Sequence, residues 1–201
     1  MSHSVDDIRA DIAYMKEVVE GGGGSLRGGL ILLAAGALFG GASLVGFAQT
    51  MGVLHLPTMA PMWLPLGAMA LFFIALALVT VMTPSEPRTP ANRAIGTVWS
   101  GVGWAIGALV LAGFGAMNAV HTSAVFALFS PVVLVLYGAA WMVSHAMTRQ
   151  PFQLWISLGC YGAGVATGFL AASPFMPLVL ALALFAFAAI PGALLVAKAR
   201  R

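Results

Sequence analysis

The chain consists of long runs of apolar residues separated by short polar stretches. Within these runs apolar residues do not alternate with polar ones, as they would in a membrane-spanning strand. A helix that rises 1.5 Å per residue needs about 20 apolar residues to cross a hydrocarbon core about 30 Å thick. The runs therefore predict six transmembrane helices, over residues 26–46, 62–82, 95–117, 122–146, 152–172 and 175–197.

The predicted fold is an all-α integral membrane bundle. Hydrophobic residues make up 61% of the 201-residue chain and charged residues only 7%, whereas about 25% of the residues of a soluble domain are charged. Residues 118–121 and 172–174 leave room for little more than turns, so the six spans are expected to form three antiparallel hairpins. We predict a membrane domain over residues 26–201, preceded by a cytoplasmic segment over residues 1–25.

All nine basic residues fall on one side of this predicted topology: Arg9, Lys16, Arg27, Arg88, Arg93, Arg149, Lys198, Arg200 and Arg201. Because Lys and Arg near span ends favour the cytoplasmic side, we predict a bacterial inner-membrane protein with both termini in the cytoplasm. The charges are spread too thinly to indicate a nucleic-acid surface. No charged side chain falls deep within a predicted span, which argues against a proton-coupled pump, a voltage sensor or a carboxylate enzyme.

Residues 4–20 show the pattern of a short amphipathic helix. Apolar residues at spacings of four, three and four form one stripe: Ile8, Ile12, Met15 and Val19. The segment holds five acidic and two basic residues, so anionic headgroups should repel it and a protein surface should bind it. The alternative is a frayed, solvated helix, because short isolated helices are barely stable. Residues 21–25 form a flexible joint, or an artificial linker of the same composition.

Glycines four residues apart recur in the first, third and fifth predicted spans. Such pairs form a flat groove that another helix can approach closely, and helix packing in lipid depends on such contacts. The pairs are Gly36/Gly40, Gly103/Gly107 and Gly164/Gly168. We expect the odd-numbered spans to form the inner packing layer. The pattern also suits a dimer interface, a glycine-lined substrate path, or chance in a chain with 24 glycines.

One polar pattern suggests a metal site on the non-cytoplasmic side: Met51 with His55, and Met117 with His121. Side chains four apart share a helical face. If the first and third spans are neighbours, the four side chains could bind copper, or the two histidines could bind haem iron. Against this, methionine is a common gap-filler and a histidine near a membrane surface is commonly solvated.

The sequence indicates no enzyme and no bound cofactor. It contains neither the Gly-x-Ser-x-Gly elbow of α/β-hydrolases nor a phosphate-binding Gly-x-x-x-x-Gly-Lys loop. The function that fits best is a non-enzymatic accessory or regulatory subunit whose N-terminal helix binds a cytoplasmic protein or a second copy of the chain. The alternative is a small-solute transporter or channel, which would need a polar or hydrated cavity near the membrane midplane.

Overall fold

The computed structural model describes residues 26–57, 60–83, 90–121, 126 and 128–200. Every regular element in these ranges is a helix. The predicted stripe Ile8, Ile12, Met15 and Val19 and the glycine joint after it lie outside the described residues. The division of the chain near residue 25 therefore stays a prediction.

The six apolar segments form helices. The first five are α1 (Leu26–Thr50), α2 (Ala60–Met82), α3 (Pro90–Val120), α4 (Phe129–Thr148) and α5 (Pro151–Phe169). The last segment comprises α6 (Met176–Leu184), a π-helical segment (Phe185–Ala189) and α7 (Ile190–Ala199), which follow one another without a break. These three parts are referred to together as the sixth helix.

Five of these helices are long and apolar enough to cross a membrane: Leu26–Thr50, Trp63–Met82, Ala91–Val120, Phe129–Thr148 and Met176–Ala199. They indicate a multi-pass membrane protein. The helix α5 is not among the five, although its 19 residues extend about 28 Å, close to the thickness of the hydrocarbon core. Its buried face carries polar side chains, which lower its mean hydropathy. The sixth span therefore stays a prediction.

Extensive contacts between the helices follow one order: α2, α1, the sixth helix, α5, α4 and α3. Neighbours in this order are antiparallel. Arg27 at the start of α1 donates a hydrogen bond to the Thr80 carbonyl near the end of α2 (2.9 Å), and Trp99 of α3 contacts Ser144 near the end of α4. The grouping into three hairpins stays a prediction, because α1 also packs along the sixth helix and α4 packs most extensively on α5.

One end of the bundle carries all the basic residues within the described ranges: Arg27, Arg93, Arg149, Lys198 and Arg200. This basic end is formed by the starts of α1, α3 and α5 and by the ends of α2, α4 and α7. It corresponds to the predicted cytoplasmic side of the topology.

The backbones of α1 and the sixth helix touch each other. A Cβ atom added at Gly36 would lie 2.3 Å from the Ala189 nitrogen, and one at Gly192 would lie 2.5 Å from the Leu33 nitrogen. A Cβ at Gly29 would lie 3.0 Å from the Gly192 carbonyl oxygen. Since real Cβ atoms do not approach a backbone this closely, only glycine permits the contact at Gly36 and Gly192.

The centre of the bundle consists of α1, α4, α5 and the sixth helix, and α2 and α3 lie at its edge. Within an apolar 18-residue stretch of each span, 44% of the sixth helix is buried, whereas only 6% of α2 and 6% of α3 are buried. The prediction that odd-numbered spans form the inner layer is therefore wrong for the third and sixth spans. The sixth helix lies inside because its small buried residues Ala181, Ala188 and Ala189 allow its neighbours to approach.

The close contact at Gly36 predicts that Gly36→Ala destabilises the protein by about 1–3 kcal/mol, because the added methyl group has no space against a backbone. The matched control is Gly41→Ala in the same helix, where a Cβ meets nothing within 4 Å. Alanine there should be neutral or stabilise the helix by up to about 1 kcal/mol. Thermal unfolding in mild detergent measures both, and equal midpoints for the two variants would contradict the close contact.

Candidate functional site

Polar and small side chains line the buried face of α5: Gln153, Ser157, Cys160, Gly164 and Thr167. Their alternating spacings of four and three residues place them on one face of the helix. This face packs against α4, and we call the contact the polar seam. Ser157 and Thr167 have no exposed surface, so the seam lies in the interior of the bundle.

Hydrogen bonds across the polar seam join α5 to α4. The Ser157 hydroxyl donates to the Gly138 carbonyl (2.7 Å), and the Thr148 hydroxyl donates to Oε1 of Gln153 (2.6 Å). Thr148 also lies 2.9 Å from the Ser144 carbonyl in its own helix. Buried polar groups are costly in lipid unless they find partners. These bonds therefore stabilise the pair and fix the register of α4 against α5.

A cluster of aromatic side chains lies next to the seam, towards the basic end. The Trp99 ring packs edge-on against Trp141, with centroids 5.4 Å apart, and against Tyr137, with centroids 5.6 Å apart. Its Nε1–H points to the Ser144 hydroxyl at 3.4 Å. We call Trp99, Tyr137 and Trp141 the tryptophan cluster. Its edge-on geometry is the one that aromatic pairs prefer.

Trp141 links α4 to the sixth helix by a hydrogen bond. It is 2% exposed, and its Nε1–H donates to the Phe187 carbonyl in the π-helical segment (3.1 Å). In an α-helix this carbonyl would accept the N–H of residue 191, but Pro191 has none. The indole therefore supplies the hydrogen bond that the proline removes.

This arrangement holds helices together, and its polar groups are engaged within the bundle. Among the described residues, no three His, Cys, Asp or Glu side chains come close enough to hold a metal ion. Cys160 is free and fully buried. All six acidic residues have positions outside the described ranges, so the seam has hydroxyl and amide groups but no carboxylate.

The four residues of the suggested metal site lie at the opposite end from the basic end. Met51 follows the last residue of α1, and His55 lies outside any regular element, beyond a turn at Gly52. The assumption that Met51 and His55 share a helical face is therefore wrong, because α1 ends at Thr50. Met117 is within α3, whereas His121 follows its end with a positive φ of 52°.

The predicted metal site also required the first and third spans to be neighbours. Extensive packing joins α1 to α2 and to the sixth helix, and α3 to α4. The pair α1 and α3 is not among the extensively packed ones. Convergence of the two histidines, and with it the copper or haem site, stays a prediction.

The three predicted glycine pairs have different surroundings. Gly36 and Gly40 face the sixth helix, where a Cβ on Gly40 would lie 3.1 Å from the Phe185 ring. Gly164 faces α4, where an added Cβ would lie 3.2 Å from the Pro131 carbonyl oxygen, and a Cβ added at Gly168 would lie 3.8 Å from the Pro131 ring.

Gly103 and Gly107 differ from the other pairs, because no described atom comes within 4 Å of a Cβ at either position. They therefore do not join helices within the described bundle, and a dimer contact through them stays a prediction.

Sequence reasoning missed several residues of this site. The sequence gives no sign that Trp141 is buried between helices. The alternating spacing of Gln153, Ser157, Cys160, Gly164 and Thr167 was a readable signal of a buried face. Gly192 gave no signal, since its role depends on which helix lies opposite.

A groove of about 230 Å³ lies between α3 and α4 near the end opposite the basic end, and apolar side chains such as Leu109, Phe126 and Val132 line it. It is therefore suited to hydrocarbon and not to a polar solute. Comparisons with protein-family models, curated proteins and solved structures found no match.

The bond between Trp141 and Phe187 predicts that Trp141→Phe lowers the free energy of unfolding by about 1–3 kcal/mol, because a buried carbonyl loses its partner. The matched control is Trp155→Phe, at a tryptophan that is 71% exposed, and it should have little effect. Thermal or denaturant unfolding in detergent measures the difference.

The variant Pro191→Ala provides a second test, since it restores an N–H at position 191. In that background Trp141→Phe should cost less than it does in the native chain. An equal cost in both backgrounds would mean that the indole stabilises by packing alone.

Proposed function

We propose that this chain is a non-enzymatic accessory or regulatory subunit of the bacterial inner membrane. In this proposal both termini are cytoplasmic, and the helix predicted over residues 4–20 binds a cytoplasmic protein or a second copy of the chain. The six-helix bundle then serves as the membrane anchor that carries this helix.

The observation that carries the proposal is the filled interior of the described bundle. Leu134, Cys160, Ala181 and Ala188 have no exposed surface, and Trp141 is 2% exposed. A secondary transporter binds its substrate near the midplane, at polar groups that line a cavity. Here the polar seam is engaged in hydrogen bonds between helices, and the groove between α3 and α4 is apolar. This favours an anchor over a small-solute path.

The distribution of charge supports the proposed orientation. The basic end carries Arg27, Arg93, Arg149, Lys198 and Arg200, whereas the opposite end has no Lys or Arg in the residues that the structure describes. Translocation disfavours Lys and Arg near span ends, so the end that carries them stays in the cytoplasm. The N-terminal segment joins α1 at the basic end, and it would therefore meet cytoplasmic proteins.

Cysteine labelling tests the orientation. The single cysteine, Cys160, is first replaced by alanine, and cysteines are introduced one at a time at Val53 and Ala199, both of which are exposed. In intact spheroplasts an impermeant thiol reagent should label Val53→Cys and leave Ala199→Cys unlabelled until the membrane is opened. The reverse pattern would overturn the proposed orientation.

The partner-binding role of residues 4–20 predicts that Ile12→Asp with Met15→Asp abolishes a contact that crosslinking detects in cells. Two charges in the apolar stripe could not be buried against a protein surface without a large desolvation cost. Deleting residues 1–20 should have the same effect while leaving the thermal stability of the bundle unchanged.

The control for this experiment is Ala10→Asp with Ala13→Asp, which adds the same charge on the opposite face of the predicted helix. It should retain the contact. If the stripe variant keeps every crosslink that the control keeps, residues 4–20 do not bind through the stripe. Specific solute uptake by proteoliposomes that contain only this chain would favour the transporter alternative instead.

A further inference from the structure

The surroundings of the first turn of α1 are both basic and apolar. Gly29 packs against Leu195 and Val196, so the start of α1 lies beside the end of α7. The next residues of α7 include Lys198 and Arg200, which are exposed. No acidic residue occurs in the described ranges, so these cations have no carboxylate partner among the residues that the structure describes.

A second neighbour of this turn provides apolar surface. Arg27 donates to the Thr80 carbonyl, which places the last turn of α2 next to the start of α1. In that turn Val81 is 85% exposed and Met82 is 77% exposed. Cationic and apolar groups therefore both adjoin the point at which the N-terminal segment joins the bundle.

The N-terminal segment has the complementary composition. Its first 20 residues contain five acidic and two basic side chains, a formal net charge of −3 with histidine neutral, together with the predicted apolar stripe. Five residues, 21–25, connect it to α1 and can extend at most about 18 Å. Because Gly29 packs against Leu195 and Val196, Lys198 and Arg200 lie within about two helix diameters of the start of α1. The tether therefore holds the C-terminal end of the segment near these two cations.

We infer that the acidic segment, residues 4–20, docks on the basic end of its own bundle beside Lys198 and Arg200, with its apolar stripe towards Val81 and Met82. A tether this short gives an effective concentration in the millimolar range. A contact with a millimolar Kd, too weak to form between separate molecules, is then about half occupied. A cytoplasmic partner that binds the stripe has to displace this contact, so the bundle acts as an internal competitor.

Spin-label distances in the purified full chain test the docking. In the Cys160→Ala background, nitroxides are attached at Ala13→Cys, which lies off the stripe, and at Ala199→Cys. Docking should give one short, narrow distance distribution at low salt. At about 1 M salt, where the Debye length is about 3 Å, the distribution should broaden to that of a free five-residue tether.

Charge exchange shows whether complementarity is the cause. Lys198→Glu with Arg200→Glu should broaden the distribution, and Lys198→Gln with Arg200→Gln should broaden it less. Adding Asp6→Lys, Asp7→Lys and Asp11→Lys to the glutamate variant should restore the narrow distance. The matched control, Arg93→Glu with Arg149→Glu, removes as many cations from parts of the same end that lie on α3 and on the link between α4 and α5.

Several results would overturn the inference. One is a broad distribution in the native chain at low salt. Another is a short distance that disappears when labelled chains are diluted with unlabelled ones, which would mean that the segment docks on a second copy. A third is equal broadening by the control, which would indicate a general field instead of this surface. Thermal unfolding of each variant verifies that the bundle is folded.

This inference shares the predicted helix over residues 4–20 with the proposed function, but the two can fail separately. The docking is measured on the purified chain without any partner, whereas the proposed function is measured by crosslinks in cells. A narrow distance without a stripe-dependent crosslink would support docking alone, and the converse would support partner binding alone.

Discussion

The backbone contact between α1 and the sixth helix is the constraint on which the rest of the bundle depends. Lipid tails are as apolar as leucine, so the helices gain nothing by merely hiding side chains from lipid and associate through close packing. Gly36 and Gly192 remove the side chains that would separate the two backbones. With α1 held there, Leu32 of α1 forms a buried cluster with Trp141 and Cys160, and Leu195 of α7 packs against this cluster.

Hydrogen bonding in the interior follows from the same solvent. A carbonyl in hydrocarbon cannot accept a hydrogen bond from water. Each carbonyl that lacks its usual partner within the helix therefore needs another donor. The indole of Trp141 supplies it for Phe187, and the Ser157 hydroxyl adds a donor across the seam at Gly138. Because these groups have specific directions, they select one arrangement of α4, α5 and the sixth helix, and they leave the surfaces of the bundle as the parts able to bind other molecules.

The positions of the helices along the chain could be predicted from the sequence, whereas the pairs of helices that pack together could not. Apolar runs long enough to cross a bilayer define a helix by themselves, because no other open backbone structure is tolerated there. Partner choice depends on pairs of surfaces. The pairs Gly36/Gly40 and Gly103/Gly107 look alike in the sequence, yet only the first meets a helix within the described bundle. What distinguishes them is the row of small residues on the sixth helix, which the local pattern around either pair does not contain.

Turns and buried polar residues account for the remaining differences. Met51 and His55 have helical spacing, but α1 ends before them and Gly52 adopts a positive φ of 72°, a conformation open to glycine. The polar stripe of α5 was readable from its spacing, whereas the role of Trp141 was not. Trp141 has this role because of Pro191, a residue 50 positions away in the chain that comes close to it only through folding.

The π-helical segment Phe185–Ala189 also determines which changes in chain length the bundle can tolerate. Its hydrogen bond from the Ile190 N–H to the Phe185 carbonyl spans five residues instead of the usual four, so this turn contains one residue more than an α-helical turn. Losing one residue there would leave an ordinary turn, with α6 and α7 still facing their neighbours. The same loss between Gly29 and Gly36 would rotate one glycine by about 100° relative to the other, and one of the two would then face away from the sixth helix. Of these two segments, the wide turn is therefore the one in which the bundle can lose a residue and keep its helix contacts.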